Sequence, residues 1–404
     1  MSTSAVLEGI RVLDLTSVIM GPFAARVLGD MGADVIKIES PKGDTVRQVG
    51  PMRSPGMGPF YLHANRNKRS LVLDLKLGQA KEAMLRLVKT ADVLLYNVRP
   101  QAMERLGLGY STLERINPGL IYVGTYGFAQ EGPYAKRPAL DDLIQGLAGV
   151  PSLIAKSGTG APRYVPLAMV DRYVAMHASN AVLGAPFHKQ RTGLGQDIEV
   201  PMFETAVEMV LGDHLSGQSF DPPLGPPGYS RSMSPDRHPF ETKDGYVCVM
   251  VYTDPQWRSF FSFIGKPELA DDPRFAAMSA RTVHADELNR ILKAAMKDRT
   301  TDEWLELFER IDVPATRLHD LDTLPQDPHL QATGFFEWHA HPSEGRICVM
   351  KPPTKWSGTP PGIFRLPPRI GQHSHEVLSE VGFSDDEVRA MVKTGATRLD
   401  SSQT

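Results

Sequence analysis

The first forty residues contain two short hydrophobic runs separated by an amphipathic stretch. Residues 10–15 form an apolar run of strand type, Gly21 and Pro22 open an amphipathic helix that ends near Met31, and residues 34–38 form a second apolar run. Two such strands joined by a helix predict a parallel βαβ unit. These units bind ligands at the carboxyl ends of their strands, here residues 16–19 and 39–44. No GxGxxG follows the first strand, so the usual dinucleotide fingerprint is missing.

The same alternation of apolar runs and amphipathic stretches continues along the chain. It predicts strands at 71–75, 92–96, 120–126 and 197–200, and helices at 76–91, 171–187 and 202–215. This order predicts a doubly wound α/β sheet. Residues 216–238 contain five prolines and no periodicity, which indicates a long connection. A strand at 245–251, helices within 254–309, a strand at 346–350 and a last helix at 376–392 follow.

The pattern predicts two domains. We expect a large domain from residues 1–215, a linker at 216–238 and a small domain at 239–323. Residues 324–404 should return to the large domain, because the last helix is too short to form a core of its own. The fold class is therefore α/β, with a Rossmann-like large domain and a smaller α/β domain.

Composition narrows the classes of function. The chain has 404 residues, 23% of them charged, and a formal net charge of −3, which argues against nucleic acid as a partner. No apolar run reaches the length of a membrane span, and both cysteines lie inside apolar runs, so we expect a reduced, cytoplasmic protein without a membrane partner. The His339/His341 and His373/His375 pairs lie in polar loop sequence without metal-site spacing, and we expect no metal.

Cationic and amide side chains near the predicted strands are candidates for ligand binding. Residues 65–70, which include Lys68, place three cations in four positions before a strand and could hold phosphates or form a solvated basic turn. Asn97 closes the strand at 92–96, and Arg105 lies in the helical piece that follows. Either could face a ligand, although structural asparagines and surface arginines are common at such places.

Two aspartates begin predicted helices. Asp141 follows a glycine-proline turn and the basic Arg137, and helix capping alone would explain its position. Asp171 begins an apolar helix rich in small residues, where a cap and a covalent nucleophile are both open. We expect the helix dipole to keep the pKa of Asp171 low and its carboxylate ionised.

Several segments together resemble the family III CoA-transferases of the CaiB/BaiF type, among which formyl-CoA:oxalate CoA-transferase is a well-known member. The matching pieces include LEGIRVLDLTSVIMGP, GADVIKIESPKGD, NRNKRSLVLDLK, ADVLLYNVRPQAMERLGLGY, GPYAKRPALDDLIQGLAG and RTGLGQDIEVPMFE. The resemblance covers nearly the whole chain in the family's order. It implies a large Rossmann-like domain built from both chain ends, a small domain between them, and an interlocked homodimer.

The resemblance also implies roles for individual residues. Asp171 falls on the family's catalytic aspartate. The predicted CoA contacts are Val18, Lys42, Arg47, Lys68, Leu73, Asn97, Arg105, Arg137 and Met202, and the predicted substrate pocket includes Ile19, Leu140 and Asp141. Many members carry an arginine for the CoA nucleotide where this chain has Ser40, and Lys42 and Arg47 are the candidates to replace it.

The reaction implied is transfer of CoA from an acyl-CoA to a carboxylic acid, through an aspartyl mixed anhydride and an aspartyl-CoA thioester on Asp171, with no metal. Formyl-CoA:oxalate enzymes have a glutamine where this chain has Ile19, and a glycine run where this chain has GPPGYSRSMSPDRHPF. These differences disfavour a small, doubly charged acceptor such as oxalate. The apolar Ile19 suits a larger or partly apolar acyl group.

Two other functions remain open at this point. An α-methylacyl-CoA racemase would have the same fold but needs two opposed acid–base groups, and relatives of that type supply a histidine that is missing between Gly132 and Gly149. A non-catalytic CoA-binding protein would keep the basic contacts and need no carboxylate at position 171.

Overall fold

The computed structural model of the protein describes residues 5–400, and its largest feature is a parallel sheet of six strands. The strands are β1 (Arg11–Leu15), β2 (Asp34–Glu39), β3 (Lys68–Val72), β4 (Val93–Tyr96), β5 (Ile121–Tyr126) and β6 (Gln196–Pro201). Their order is β3-β2-β1-β4-β5-β6, and every neighbouring pair is parallel. The strand order therefore reverses between β1 and β4, which is where doubly wound sheets bind ligands. The predicted parallel α/β sheet is confirmed.

Sixteen α-helices accompany the strands in the described residues 5–400. They are α1 (Met20–Asp30), α2 (Pro59–Ala64), α3 (Gly78–Val88), α4 (Pro100–Leu106), α5 (Tyr110–Leu113), α6 (Asp141–Leu147), α7 (Val150–Ile154), α8 (Met169–Thr192), α9 (Met202–His214), α10 (Asp254–Phe263), α11 (Met278–Val283), α12 (Ala285–Met296), α13 (Thr301–Arg310), α14 (Pro328–Ala332), α15 (Ser374–Glu380) and α16 (Asp385–Thr394). Within residues 5–400, none of them is long and apolar enough to cross a membrane.

Side chains of the sheet alternate between two differently covered faces. Leu13, Ile36 and Leu94 share a buried cluster with residues of α3, α15 and α16. The other face carries Asp14, whose partner Lys68 also bonds the Pro22 carbonyl of α1. Helices from both ends of the chain therefore cover one face of the sheet, and α1 lies over the other.

The chain divides into two compact units, each with its own core. Unit 1 comprises Met1–Ile144, Pro166–Val207 and Ala332–Thr404, and it contains the six-stranded sheet. Unit 2 comprises Gln145–Val165 and Glu208–Gln331. Its antiparallel sheet consists of β7 (Phe240–Glu241), β8 (Tyr246–Val249) and β9 (Ala315–Arg317), beside an aromatic core that includes Trp257, Trp304 and Phe308. Residues 216–238, predicted as a linker, group with unit 2.

Local sequence explains where several helices begin. Thr253, Thr300 and Ser384 each accept a hydrogen bond from a backbone N–H three residues later. The Gln or Glu at that later position bonds back to the cap residue in each case. These reciprocal capping boxes satisfy two backbone donors that a helix start leaves without partners.

Three sequence predictions are wrong in detail. The third strand begins at Lys68 rather than at residue 71, because the cations read as a turn are part of β3. The last helix is two helices, α15 and α16, separated by a turn in which Gly382 has a φ of +84°. His339 and His341 lie not in a loop but in β10 (Phe336–His341), which pairs with β11 (Gly345–Met350) as an antiparallel hairpin.

Candidate active site

The loops that follow β1 and β4 meet at the point where the strand order reverses. Asn97, directly after β4, accepts a hydrogen bond from the Ser17 N–H at 3.0 Å and donates one to the Ser17 carbonyl at 2.7 Å. These two hydrogen bonds fix the β1 loop against the β4 loop. The Asn97 side chain therefore positions backbone at the edge where a doubly wound sheet binds its ligand.

The β1 loop has an uncommon backbone conformation at Val18. Its φ is +72°, a left-handed value that a β-branched residue adopts only under constraint, at a cost of about 1–3 kcal/mol. The Val18 N–H donates to Asp44 Oδ1 at 3.1 Å, and Lys37 Nζ bonds both Asp44 Oδ2 at 2.9 Å and the Thr16 carbonyl at 3.0 Å. A buried ion pair thus holds the strained loop in place. Strain of this kind is often kept at functional sites.

Close packing against the β1 loop explains the glycine that follows it. A Cβ at Gly21 would lie 2.3 Å from the Thr16 side chain, so only glycine fits. Thr16 is itself fixed, because its N–H and its hydroxyl both donate to the Asp14 carboxylate. The first turn of α1 consequently starts directly against the loop.

Charged residues inside β1, β2 and β3 form the network under this loop. Asp14 lies beside Lys37 in the register of β1 and β2, and its Oδ2 accepts from Lys68 Nζ at 2.8 Å. Burial acts to raise the pKa of Asp14, but the charges of Lys68 and Lys37 outweigh it and lower the pKa. Burial lowers the pKa of Lys68 to about 8 against the opposing charge of Asp14. The sequence analysis did not identify Asp14 and Lys37, although a charged residue inside an apolar strand was the available signal.

Arg47 and Lys68, both predicted CoA contacts, turn inward. The Arg47 guanidinium forms two 2.7 Å bonds to the Glu39 carboxylate and lies 3.7 Å from the centroid of the Tyr61 ring. Lys68 is fully buried and bonds the Pro22 carbonyl and Asn65 besides Asp14. Their donors are used within the fold, so the geometry favours a structural role over the predicted contact. Lys42, after β2, is exposed. It remains the candidate to contact the CoA nucleotide in place of the arginine that many family members carry where this chain has Ser40.

Asp171 lies in the first turn of α8 and is only 9% exposed. Burial and then the negative charge of Asp141 raise its pKa to about 7, and the charge of Arg172 opposes them. Within residues 5–400 no cationic side chain forms a salt bridge with its carboxylate. The low pKa expected from the helix dipole is therefore wrong, because burial and a like charge outweigh the dipole.

The two predicted aspartates are brought together. Asp141 Oδ2 accepts a hydrogen bond of 2.8 Å from the Asp171 backbone N–H. Asp141, at the start of α6, thereby satisfies a donor at the start of α8. The site contains two neighbouring carboxylates, one of which is nearly buried.

An apolar cluster connects the β1 loop with the start of α8. Ile19, Val46, Met57 and Tyr61 are buried together, and Ala168, the residue before α8, packs against them. The helices α1 and α8 are also in contact, and Ser179 donates to the Ala24 carbonyl at 3.4 Å. The predicted substrate-pocket residue Ile19 is thus 6% exposed and lies close to the helix that carries Asp171.

The other predicted site residues differ in exposure. Leu73, after β3, and Met202, after β6, are buried at strand ends of the same sheet edge. Arg105 in the last turn of α4 is exposed, and Leu140, beside Asp141, is 64% exposed. Arg137 is exposed and lies 4.0 Å from the centroid of the Tyr134 ring. A phosphate group could therefore reach the exposed side chains of Lys42, Arg105 and Arg137.

The histidine pairs take other partners. His339 bonds Glu337, and His341 bonds the Pro367 carbonyl. His373 accepts from the Ser70 N–H, and His375 bonds Asp385. Across the described part of the chain, no three His, Cys, Asp or Glu side chains are grouped as metal ligands would be.

Comparison with known proteins defines the class. The sequence model described as "CoA-transferase family III" matches residues 7–374. The chain therefore belongs to CoA-transferase family III.

Individual relatives cover nearly the whole chain. It is 33% identical to the probable fatty acyl-CoA transferase Rv3272 of Mycobacterium tuberculosis, covering 92% of this chain and 97% of the relative. It is 31% identical to the human succinyl-CoA:glutarate CoA-transferase, over 94% of this chain and 87% of the relative. The crystal structure of Rv3272 in its orthorhombic form has a TM-score of 0.79 over 93% of this chain and 99% of that chain, at 31% identity. The crystal structure of a CaiB/BaiF family protein from Brucella suis has a TM-score of 0.77 over 94% of this chain and 100% of that chain, at 28% identity.

Proposed function

We propose that this protein is a CoA-transferase that moves CoA from an acyl-CoA thioester to a carboxylic acid, with Asp171 as the covalent nucleophile. The observation that carries the proposal is the buried Asp171 carboxylate, which lies beside a second carboxylate and has a pKa of about 7. Membership of CoA-transferase family III and relatives named as succinate–glutarate and succinyl-CoA:glutarate CoA-transferases support the reaction type.

The environment of Asp171 favours acylation of its side chain. A buried carboxylate beside a second carboxylate is a high-energy group, because burial and the like charge disfavour the anion more than the charge of Arg172 favours it. An anhydride or thioester at the same atom carries no charge, so forming it removes that cost. A carboxylate of raised pKa is also a stronger nucleophile once it is ionised.

The steps proposed for the reaction balance without a metal or ATP. An Asp171 oxygen attacks the thioester carbonyl carbon and expels CoA thiolate. The product is a mixed anhydride between Asp171 and the donor acyl group. The thiolate then attacks the aspartyl carbonyl, which forms an aspartyl-CoA thioester and releases the donor acid as its carboxylate. The acceptor carboxylate attacks the carbonyl of this thioester, which expels CoA thiolate and forms a second mixed anhydride. The thiolate finally attacks the acceptor carbonyl of that anhydride, which gives the new acyl-CoA and releases the Asp171 carboxylate.

The proposed CoA site follows the strand ends around Asp171. Asn97 fixes the loop that contains Val18, and Lys42, Arg105 and Arg137 are the exposed cations able to hold phosphate groups. Leu73 and Met202 complete the proposed contacts with apolar surface at the same edge of the sheet. The acyl group would lie between Ile19, Leu140 and Asp141.

The decisive test replaces Asp171 by asparagine. The amide is nearly isosteric but a very poor nucleophile, so Asp171→Asn should abolish transfer by more than the roughly 10²–10⁴-fold loss typical of a general acid or base. CoA binding, measured by calorimetry, should persist. Asp142→Asn, at an exposed position beside Asp141, is the matched control and should keep transfer.

A chemical trap separates the three candidate functions. Wild-type protein incubated with acyl-CoA and then hydroxylamine should yield an aspartyl hydroxamate on the peptide that contains Asp171. A label on Asp141 or Asp142, or transfer retained by the asparagine variant, would show that the nucleophile is assigned wrongly. A non-catalytic CoA-binding protein would give no label, and a racemase would exchange the α-hydrogen of the acyl group with solvent without an adduct.

The CoA contact assigned to Arg105 has its own test. Arg105→Ala should weaken CoA binding by roughly 1–3 kcal/mol, the usual loss for a charged hydrogen bond. Arg115→Ala removes an exposed arginine ten positions away and serves as the control. Equal CoA affinity of the two variants by calorimetry would exclude Arg105 from the site.

A further inference from the structure

A group of positively charged side chains lies where α1, α2 and α8 meet in unit 1. Arg26 belongs to α1, Arg66 follows α2, and Arg172 directly follows Asp171 in α8. The guanidinium carbons of Arg26 and Arg172 lie 4.3 Å and 5.1 Å from the centroid of the Phe23 ring. Two positive charges therefore share one aromatic ring beside the proposed nucleophile.

Among the described residues, Asp30 is the one carboxylate that pairs with these three arginines. It accepts from Arg66 Nε and Nη2 at 2.8 Å and 2.6 Å and from the Asn67 amide at 2.8 Å. Arg26 Nε lies 3.6 Å from Asp30 Oδ2, which is too long for a hydrogen bond. Arg172 is exposed, and within residues 5–400 its side chain forms no hydrogen bond or ion pair. Positive charge is thus in excess at this place.

The excess charge acts on neighbouring groups. Burial lowers the pKa of Arg26 to about 10, and Asp30 opposes this shift. The charges of Arg66 and Arg172 contribute to the lowering. Burial and then the charges of the same three arginines also lower the pKa of His63 in α2, so its imidazole is neutral at neutral pH. A bound anion would therefore lower the electrostatic energy of this region.

The position of these charges relative to the proposed acyl contacts indicates which anion binds. The Phe23 N–H donates to the Ile19 carbonyl at 2.8 Å, so Phe23 lies one helical turn, a rise of about 5.4 Å, beyond Ile19. Arg172 lies close enough to Asp171 for its charge to act on the pKa of that carboxyl group. An acyl group attached at Asp171 and resting on Ile19 would therefore have its far end near the two arginines that share the Phe23 ring.

We propose that Arg172 and Arg26 form a specificity site for a carboxylate at the far end of the acyl group, so that the substrates are short dicarboxylic acids and their CoA thioesters. This inference rests on the proposed function. The carboxylate would accept two parallel hydrogen bonds from the Arg172 guanidinium, a geometry that arginine favours. Arg26 adds its charge at the same ring. A monocarboxylic acyl group of equal length leaves both positive charges unpaired and is bound less well.

The rate at which hydroxylamine traps Asp171, measured at limiting glutaryl-CoA and at limiting valeryl-CoA, tests the proposal. The two acyl groups have the same length, and only glutaryl carries a second carboxylate. Glutaryl-CoA should label faster, and the ratio of the two rates should fall roughly tenfold or more in Arg172→Gln, since a charged hydrogen bond is lost. The ratio cancels any effect of Arg172 on the reactivity of Asp171. Arg191→Gln, which changes an exposed arginine in the last turn of the same helix, is the control and should keep the ratio.

Calorimetry with CoA alone separates the acyl carboxylate from the CoA phosphates as the anion bound here. Arg172→Gln should bind CoA as the wild type does. Equal labelling by the two thioesters in the wild type, an unchanged ratio in Arg172→Gln, or equal losses with both thioesters together with weaker CoA binding would each overturn the specificity site and leave Asp171 as the nucleophile. Label from other acyl-CoA thioesters but not from glutaryl-CoA would overturn it as well, whereas no label from any acyl-CoA would contradict the proposed function itself.

Discussion

Asp14 and Asp171 are both buried in unit 1, but their surroundings are opposite. Asp14, inside β1, lies among Lys68, Lys37 and the Thr16 hydroxyl, and the two lysines hold its pKa below the ordinary value. Asp171 has a second carboxylate as its neighbour and a pKa of about 7. Opposite charges surround Asp14 and fix the β1 loop, whereas a like charge lies beside Asp171, the proposed nucleophile. Under the proposed function, the comparison separates a structural carboxylate from a catalytic one within one domain.

The largest effect on stability is expected at the compensated carboxylate. Asp14→Asn leaves the buried Lys68 without its ion-pair partner, whereas Lys37 keeps Asp44, and breaking a buried pair costs roughly 3–5 kcal/mol. The denaturant midpoint should fall accordingly. Glu82→Gln removes one partner of an exposed ion pair in α3 and should leave the midpoint almost unchanged. A similar small change in both variants would mean that the network contributes little to the fold.

In contrast to Asp14→Asn, Asp171→Asn should increase the free energy of unfolding at neutral and higher pH. Because the pKa of Asp171 rises from 3.8 to about 7 on folding, the folded state disfavours its ionised form. This destabilisation is absent below a pH of about 4, grows as the pH rises, and is complete above about 7, where it reaches up to roughly 4 kcal/mol. The asparagine variant should therefore be more stable than the wild type at a pH of about 8 and equally stable near 4. Destabilisation at the higher pH would mean that the carboxylate makes a stabilising contact in the free enzyme.

Sequence patterns were sufficient for the parallel sheet and for Asp171 at a helix start, because both depend on local periodicity and capping. They did not predict the position of Lys68. The sequence around it is typical of a basic turn, whereas in the fold it lies in β3 and pairs with Asp14 of β1. The predicted direction of the Asp171 pKa shift was wrong because the fold buries its carboxyl group and places Asp141, thirty residues earlier, beside it. Interactions distant in sequence decide both cases. The interlocked homodimer stays a prediction of the family resemblance.

The smallest expected effect concerns the interaction between the two site aspartates. In the proposed mechanism attack requires ionised Asp171, so kcat/KM should rise as the pH increases through about 7 and level off above it. Asp141→Asn removes the like charge but keeps an oxygen able to accept the Asp171 N–H.

Removing that charge should lower the pKa of Asp171 and move the midpoint of the pH profile to lower pH by a fraction of a unit, because burial, the larger cause, remains. Asp142→Asn changes the net charge equally at the next position and should not move the midpoint. If both variants shift it alike, the pKa of Asp171 responds to net charge rather than to the carboxylate at its own helix start. A shift confined to Asp141→Asn would tie the reactivity of the nucleophile to the residue that caps its helix.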